Sequence, residues 1–143
     1  MSLLALTHVP SPQLLAAIRT FVPDEQIDYR LALRQHAAYC EALAQCGAEV
    51  KTLNVNESLA DSVFLEDAAL VVDEVAIVCV PGAPSRQAEP EGIAAALGEF
   101  RDLVRIERGT LEGGDVLRVG RTLLVGQSCR PETFGGWGEA QRF

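Results

Sequence analysis

The clearest pattern in the chain is a stripe of residues that recur three and four positions apart. This spacing places side chains on one face of an amphipathic helix. Gly47 lies four positions beyond the stripe and is expected to end that helix. The stripe consists of Tyr29, Leu33, His36, Cys40 and Leu43. An earlier segment, residues 13–20, is also expected to be helical.

Short apolar runs predict strands around that helix. Residues 3–6 and 49–53 are expected to be single strands. Two pairs of apolar runs, each joined by a short polar turn, predict β-hairpins. The hairpins comprise 68–72 with 75–80 around Asp73-Glu74, and 116–119 with 122–125 around Gly120-Arg121. Between them, 90–100 predicts a helix and 103–106 a strand.

The second half of this pattern repeats the order of the first. Each of two units contains a helix, a strand, an acidic loop and a hairpin, and the hairpin turns 73–74 and 120–121 occupy corresponding places. A Gly-x-x-x-Arg segment follows each hairpin and ends at Arg86 or at Arg130. The alternation of helices and strands predicts an α/β fold.

Charge and composition narrow the function classes. The 143 residues carry a net charge of −8, which disfavours binding to nucleic acid or to an anionic membrane surface. No apolar run approaches the roughly 18 residues of a membrane span, and the first residues lack the basic segment of a secretory signal. Four cysteines without a C-x-x-C pair indicate reduced thiols, so a cytoplasmic location is expected.

The acidic residues before each hairpin are the candidate chemistry. Glu66 and Asp67 precede the first hairpin, and Glu112 and Asp115 precede the second. If the loops converge, carboxylates would suit a guanidinium and the arginines would suit a ligand carboxylate, as in an arginine-like amino acid. The alternative is that these charges form ordinary ion pairs or solvated loops. Gly113-Gly114 favours either a positive φ or a close backbone approach, with a simple tight turn as the alternative.

The histidines and cysteines offer little catalytic chemistry. His36 and Cys40 share the helical stripe, where a packed role is expected, and Cys79 lies in a predicted strand. His8 lies in a Pro-bounded loop without a readable partner. Cys129, beside Arg130, is the best of a weak set of reactive thiols. No spacing indicates a metal site.

Four ordered motifs resemble the dimethylarginine dimethylaminohydrolases of the guanidino-group-modifying superfamily. They read DSVFLED at 61–67, PGAPSR at 81–86, LEGGDVL at 111–117 and GQSCR at 126–130. Tyr29, Gln35-His36 and Tyr39 also fit the first helix of that family. The resemblance implies a partial pentein-type pseudosymmetric α/β propeller of about two and a half αββ-type units. The matching motifs cover roughly residues 25–130, so 1–130 are expected to form the amino-terminal part of such a propeller, whereas 131–143 match nothing in the family pattern.

The resemblance also implies a reaction and its residues. A cysteine thiolate attacks the guanidinium carbon and an alkylamine leaves; water then releases citrulline, without metal or organic cofactor. Glu66 and Asp67 would bind the guanidinium, Arg86 and Arg130 the α-carboxylate, and Asp61 and Ile18 would make backbone contacts. Glu112 would orient the catalytic histidine. The expected partner is a small guanidino amino acid.

The catalytic histidine and cysteine of the family have no counterparts in this chain. Both histidines precede the Glu112 motif and no cysteine follows Cys129. We therefore expect a truncated or frame-shifted hydrolase without activity of its own. Alternatives are a non-catalytic arginine- or methylarginine-binding module and a fragment that associates with itself through exposed strand edges. Arginine deiminase-like activity is the enzymatic alternative.

Overall fold

A computed structural model describes residues 3–19 and 26–126 of the chain and confirms the α/β class. The first unit consists of β1 (Leu3–His8), α1 (Tyr29–Gln45) and β2 (Ala48–Leu53). The two strands pair in parallel, from Leu3 opposite Ala48 to His8 opposite Leu53. Helix α1 is the crossover between them, as a parallel pair requires.

Local signals set both ends of α1. The Asp28 carboxylate accepts a hydrogen bond from the Leu31 backbone N–H at 3.0 Å and caps the amino terminus. Gly47 has a φ of 91°, the left-handed conformation that ends helices and favours glycine. The predicted stripe is only half-covered, and Leu33 is 40% exposed, because α1 packs mainly against β2.

The second unit contains the first predicted hairpin. It consists of α2 (Leu65–Ala68), β3 (Ala69–Val71), β4 (Val75–Val78), α3 (Glu89–Leu97) and β5 (Asp102–Arg105). Strand β4 is central, antiparallel to β3 and parallel to β5. The β4–α3–β5 part therefore repeats the β1–α1–β2 arrangement.

The second predicted hairpin is also confirmed, as β6 (Val116–Val119) antiparallel to β7 (Thr122–Val125). The corresponding hairpins are neighbours in space. Arg118 donates to Asp73 at 2.6 Å, and Arg121 lies 3.8 Å from Glu74. These exposed ion pairs contribute little to the free energy of unfolding. They show, however, that the equivalent hairpins of two successive units face each other.

Two predictions near the amino terminus are wrong. In place of the helix predicted over 13–20, residues 13–19 contain a single 3₁₀ turn at Leu14–Ala16. The helix is not continued because Ala17 is extended, and the Ile18 N–H bonds to the Asp61 side chain instead of to the preceding turn. His8 does not lie in a loop but ends β1 and is completely buried, and each of its ring nitrogens takes part in a hydrogen bond.

The core cluster lies where α2, β4 and α3 meet. It consists of Ala68, Ala76, Ile93 and Leu97. Leu6 of β1 packs against it, which joins the first unit to the second. None of the helices formed by residues 3–19 and 26–126 combines the length and apolar character that crossing a bilayer requires.

Candidate ligand-binding site

Arg86 is the centre of the predicted site and is almost completely enclosed. It lies in a 3₁₀ turn, Pro84–Arg86, directly between the hairpin and α3, and its side chain is 8% exposed. Nη1 donates to Asp67 Oδ2 at 2.7 Å, and Nη2 donates to the Phe64 carbonyl at 3.3 Å and to Glu89 Oε2 at 2.8 Å. Nε donates to both Glu89 oxygens at 3.2 Å.

These contacts use four of the five N–H groups of the guanidinium. The remaining one is on Nη1, which lies 4.0 Å from Glu112 Oε2, an ion-pair distance. Burial lowers the pKa of Arg86, but the hydrogen bonds and charges of Glu89 and Asp67 outweigh it and hold the pKa above its usual range. Arg86 is therefore permanently charged.

Glu112 reaches the same cluster from the third unit. Its Oε1 accepts a hydrogen bond from the Gly82 backbone N–H at 3.1 Å. The neighbouring residue, Leu111, forms an isolated antiparallel bridge with Val80, with N···O distances of 3.0 and 3.1 Å. The bridge joins the loop after β4 to the loop before β6, so that Glu112 and Arg86 face each other.

The two glycines after Glu112 allow the acidic turns to touch. A Cβ on Gly113 would lie 2.1 Å from the Glu66 carbonyl oxygen, and one on Gly114 would lie 2.3 Å from Asp67 Oδ1. The predicted close backbone approach is confirmed, and neither residue has a positive φ. Convergence of the two acidic loops therefore depends on this glycine pair.

Ile18 and Asp61 are brought together as a second pair. The Ile18 backbone N–H donates to the Asp61 carboxylate, 3.1 Å from Oδ1 and 3.3 Å from Oδ2. Asp61 is buried, and its carbonyl accepts from the Phe64 N–H at 3.0 Å. This turn connects Asp61 to the Phe64 carbonyl that binds Arg86, so the two pairs adjoin.

The side chains of two further predicted site residues, Glu66 and Arg130, are not part of the contacts described above. Glu66 is exposed, lines a groove with residues of β1 and β3, and has no polar side-chain partner among the residues described. Arg130 lies outside the described residues. The individual roles predicted for these residues stay predictions.

Glu89 is a site residue that the sequence analysis missed. It is the first residue of α3 and is 1% exposed, and both of its oxygens face Arg86. Burial raises its pKa, and the opposing effect of Arg86 is smaller. The signal was the Arg86-x-x-Glu89 spacing, which brings an arginine and a carboxylate within reach of each other across the turn that leads into α3.

Both histidines and the thiols of Cys40 and Cys79 lie in structural surroundings, whereas the Cys46 thiol is exposed. His8 Nε2 accepts from the Asn56 backbone N–H at 3.0 Å, and Nδ1 lies 2.7 Å from the Val9 carbonyl, so the hydrogen bonds favour the Nδ1–H tautomer. His36 and Cys40 lie together beside Thr7. Cys79 is buried, and burial raises its pKa to about 11.

The charge balance of the cluster favours a cation. Asp67, Glu89 and Glu112 are three carboxylates around the single guanidinium of Arg86, which leaves two negative charges in excess when all three are ionised. Glu89 is fully enclosed, whereas Asp67 and Glu112 are 20% and 23% exposed. The excess negative charge is therefore accessible on one side of the cluster.

Comparisons of the sequence and of the structure with known proteins both match dimethylarginine dimethylaminohydrolases. The chain is 42% identical over 133 residues to a dimethylarginine dimethylaminohydrolase of Streptomyces coelicolor, covering 92% of this chain and 52% of the relative. A structure of the Pseudomonas aeruginosa enzyme, a cysteine-to-serine variant complexed with citrulline, matches with a TM-score of 0.81 and 35% identity, covering 86% of this chain and 49% of that one. No family model matches the chain.

A more distant structure has the same fold. The amino-terminal domain of an arginine dihydrolase from cyanobacteria matches with a TM-score of 0.75 at 22% identity, covering 89% of this chain and 49% of that one. The fold is thus that of the guanidino-group-modifying superfamily. Within it, the chain is a relative of the dimethylarginine dimethylaminohydrolases and spans about half the length of the curated relatives it matches.

Proposed function

We propose that this chain forms the amino-terminal part, residues 1–130, of a hydrolase that converts methylarginine to citrulline and an alkylamine. The observation that carries the proposal is the carboxylate cluster around Arg86, built from two successive units of the fold. Its two solvent-accessible carboxylates, Asp67 and Glu112, provide excess negative charge at a place where a guanidinium could bind. The relationship to the dimethylarginine dimethylaminohydrolases supports the same ligand class.

Each residue would contribute a distinct interaction. Asp67, together with Glu66, would bind the guanidinium and stabilise positive charge on it. The remaining Nη1 proton of Arg86, with Arg130, would bind the α-carboxylate, and the Asp61 and Ile18 backbone would bind the amino group. Glu112, held by the Gly82 N–H, is placed to orient a histidine. The reaction would need no metal or organic cofactor.

Isothermal titration calorimetry tests the ligand class. We expect the chain to bind L-arginine and methylarginines but not norleucine, which lacks the guanidinium. Asp67→Asn keeps the shape of the side chain but removes its charge, and should weaken arginine binding by about tenfold or more. Asp73→Asn removes an exposed carboxylate paired with Arg118 and serves as the control. Absence of heat with arginine at millimolar concentration would contradict the proposal.

Binding without catalysis is the second candidate for the chain by itself. It is favoured because His8 is fully enclosed and because the buried Cys79 thiol has a pKa of about 11 and is protonated near neutral pH. We expect no citrulline release from methylarginine by the isolated chain. Turnover abolished by Cys129→Ser would show instead that the nucleophile is within these residues.

The cellular setting and partners follow from the same proposal. We propose a cytoplasmic protein that binds a small guanidino amino acid and neither nucleic acid nor membrane, consistent with its net charge of −8. Self-association through exposed strand edges is the expected behaviour of the isolated chain. Arginine deiminase-like chemistry remains the alternative reaction.

A further inference from the structure

We infer that Glu89 is a positioning residue that holds Arg86 in the orientation needed to bind a ligand carboxylate. The inference rests on the proposed function and adds a residue to it. Glu89 is 1% exposed, so it cannot contact a ligand itself. Any effect it has on binding must therefore pass through Arg86.

The contacts of Glu89 fix the plane of the guanidinium. Glu89 accepts from Nε and Nη2, which lie on one edge of the planar group, with distances of 2.8 to 3.2 Å. A carboxylate that accepts hydrogen bonds from two donors on one edge restricts rotation of the guanidinium. Since that edge is occupied, only Nη1 faces Asp67 and Glu112 on the accessible side of the cluster.

Asp67 alone would not produce the same orientation. Its single hydrogen bond to Nη1, at 2.7 Å, leaves the guanidinium able to turn about that contact. The Phe64 carbonyl adds one longer contact to Nη2, at 3.3 Å. The fixed plane therefore depends chiefly on Glu89.

Glu89 is itself held by a chain of buried groups that begins in the first unit. The Asn56 amide Nδ2 donates to the Glu89 carbonyl at 2.8 Å, and the Asn56 backbone N–H donates to His8 Nε2 at 3.0 Å. A Cβ on Gly92 would lie 2.2 Å from Asn56 Oδ1, so this amide packs directly against α3. The position of Glu89 is thus determined by the end of β1 as well as by its own helix.

Two ligands separate positioning of Arg86 from a general effect on the site. Agmatine carries the guanidinium of arginine but lacks the α-carboxylate that Arg86 would bind. We expect Glu89→Gln to weaken L-arginine binding by about tenfold or more beyond any change in agmatine binding, measured by calorimetry, because both ligands share the loss of one negative charge from the cluster. Glu91→Gln is the matched control, because Glu91 lies on the same helix and pairs with Arg105 at the surface.

A second variant separates charge from position. Glu89→Asp keeps the carboxylate but shortens the side chain by one methylene, so it cannot engage Nε and Nη2 from the same backbone position. We expect the same selective loss of arginine binding. Equal losses for arginine and agmatine in folded variants, or unchanged arginine binding, would overturn the inference.

A spectroscopic measurement shows whether Glu89 fixes the Arg86 guanidinium even if the chain binds neither ligand. In that case the proposed function fails, whereas the orientation of Arg86 can still be observed by nuclear magnetic resonance. The Arg86 Nε–H signal, assigned with Arg86→Lys, should exchange slowly with solvent in the unaltered chain and in Glu91→Gln. In Glu89→Gln and Glu89→Asp it should exchange at least about tenfold faster. Unchanged exchange would show that Glu89 does not fix the guanidinium.

Discussion

The Cys79 thiol lies beside the carboxylate cluster, yet its surroundings oppose ionisation. The residue follows β4 directly, is 2% exposed, and lies 3.8 Å from the Ile77 carbonyl, which accepts its hydrogen bond. Burial is the main cause of the raised pKa, and the charges of Asp67 and Glu112 add to it. A thiolate here would lose hydration and gain two negative neighbours, so the thiol has a structural role.

Cys79 should therefore impose a pH dependence on stability. Its pKa rises from 9.0 in the unfolded chain to about 11 in the folded one, so the unfolded state loses the proton first. The contribution of the protonated Cys79 thiol to the free energy of unfolding is fully present below pH 9 and is lost as the pH rises from 9 to 11. We expect the fall in unfolding free energy over this range to be larger in the unaltered chain than in Cys79→Ala, by up to about 2.7 kcal/mol.

Denaturant titrations at pH 8, 9, 10 and 11 measure this difference. Any cost of the cavity in Cys79→Ala is independent of pH and cancels when slopes are compared. Cys46→Ala is the control, because that thiol is exposed at the end of α1. Parallel curves for the unaltered chain and Cys79→Ala would contradict the assigned burial effect.

At the scale of elements, the site depends on how two acidic turns pack. Helix α2 carries Glu66 and Asp67, and the 3₁₀ turn Gly113–Asp115 follows Glu112. The turns belong to successive units and are joined through Gly113, whose Cα approaches the backbone of Glu66. A backbone oxygen cannot move aside as the end of a flexible side chain can, so this approach admits only glycine.

Gly113→Ala should separate the two turns. The added methyl group would lie 2.1 Å from the Glu66 oxygen and 3.0 Å from the Ala69 oxygen, so one turn must shift. We expect a loss of about 1–3 kcal/mol in unfolding free energy, as for other overpacked sites. Thermal and denaturant unfolding provide the measurement.

Gly98→Ala is the control for that substitution. Gly98 has a right-handed helical conformation, and its nearest neighbour would lie 3.4 Å from the new Cβ, an ordinary contact. This variant should be neutral or slightly more stable, because alanine restricts the unfolded chain. Equal losses in the two variants would show that the close approach is not what makes Gly113 necessary.

The elements that the sequence predicted correctly are those with a strong local signal. Helix α1 follows from periodicity, both hairpins from apolar runs and turn residues, and α3 from helix-favouring composition with Pro90 near its start; all of these signals act over neighbouring positions. The failure at 13–20 has a different cause, because the bond between Ile18 and Asp61 joins positions far apart in the chain. Likewise, the acidic motifs predicted convergence, but the Arg86–Glu89 pairing depended on burial, which only the folded structure reveals.

For the whole molecule, exposed apolar strands indicate incomplete coverage. All four residues of β5 are exposed, including Leu103 at 37% and Val104 at 47%. Strand β5 also lies at the edge of its sheet as the described residues form it. An exposed edge with apolar side chains is a template for pairing with another chain, so we expect the isolated chain to self-associate.

Val104→Lys should reduce that association without unfolding the protein. A lysine on an edge strand opposes pairing of strands, because the second copy would have to bury or displace the charge. Val104 is nearly half exposed, so the free energy of unfolding should change by less than about 0.5 kcal/mol. Leu31→Lys adds the same charge on the exposed surface of α1, outside any strand, and should leave association unchanged. Light scattering over a concentration series compares the three proteins. A monodisperse monomer from the unaltered chain would exclude self-association, whereas equal effects of both lysines would attribute the association to net charge and not to the edge of β5.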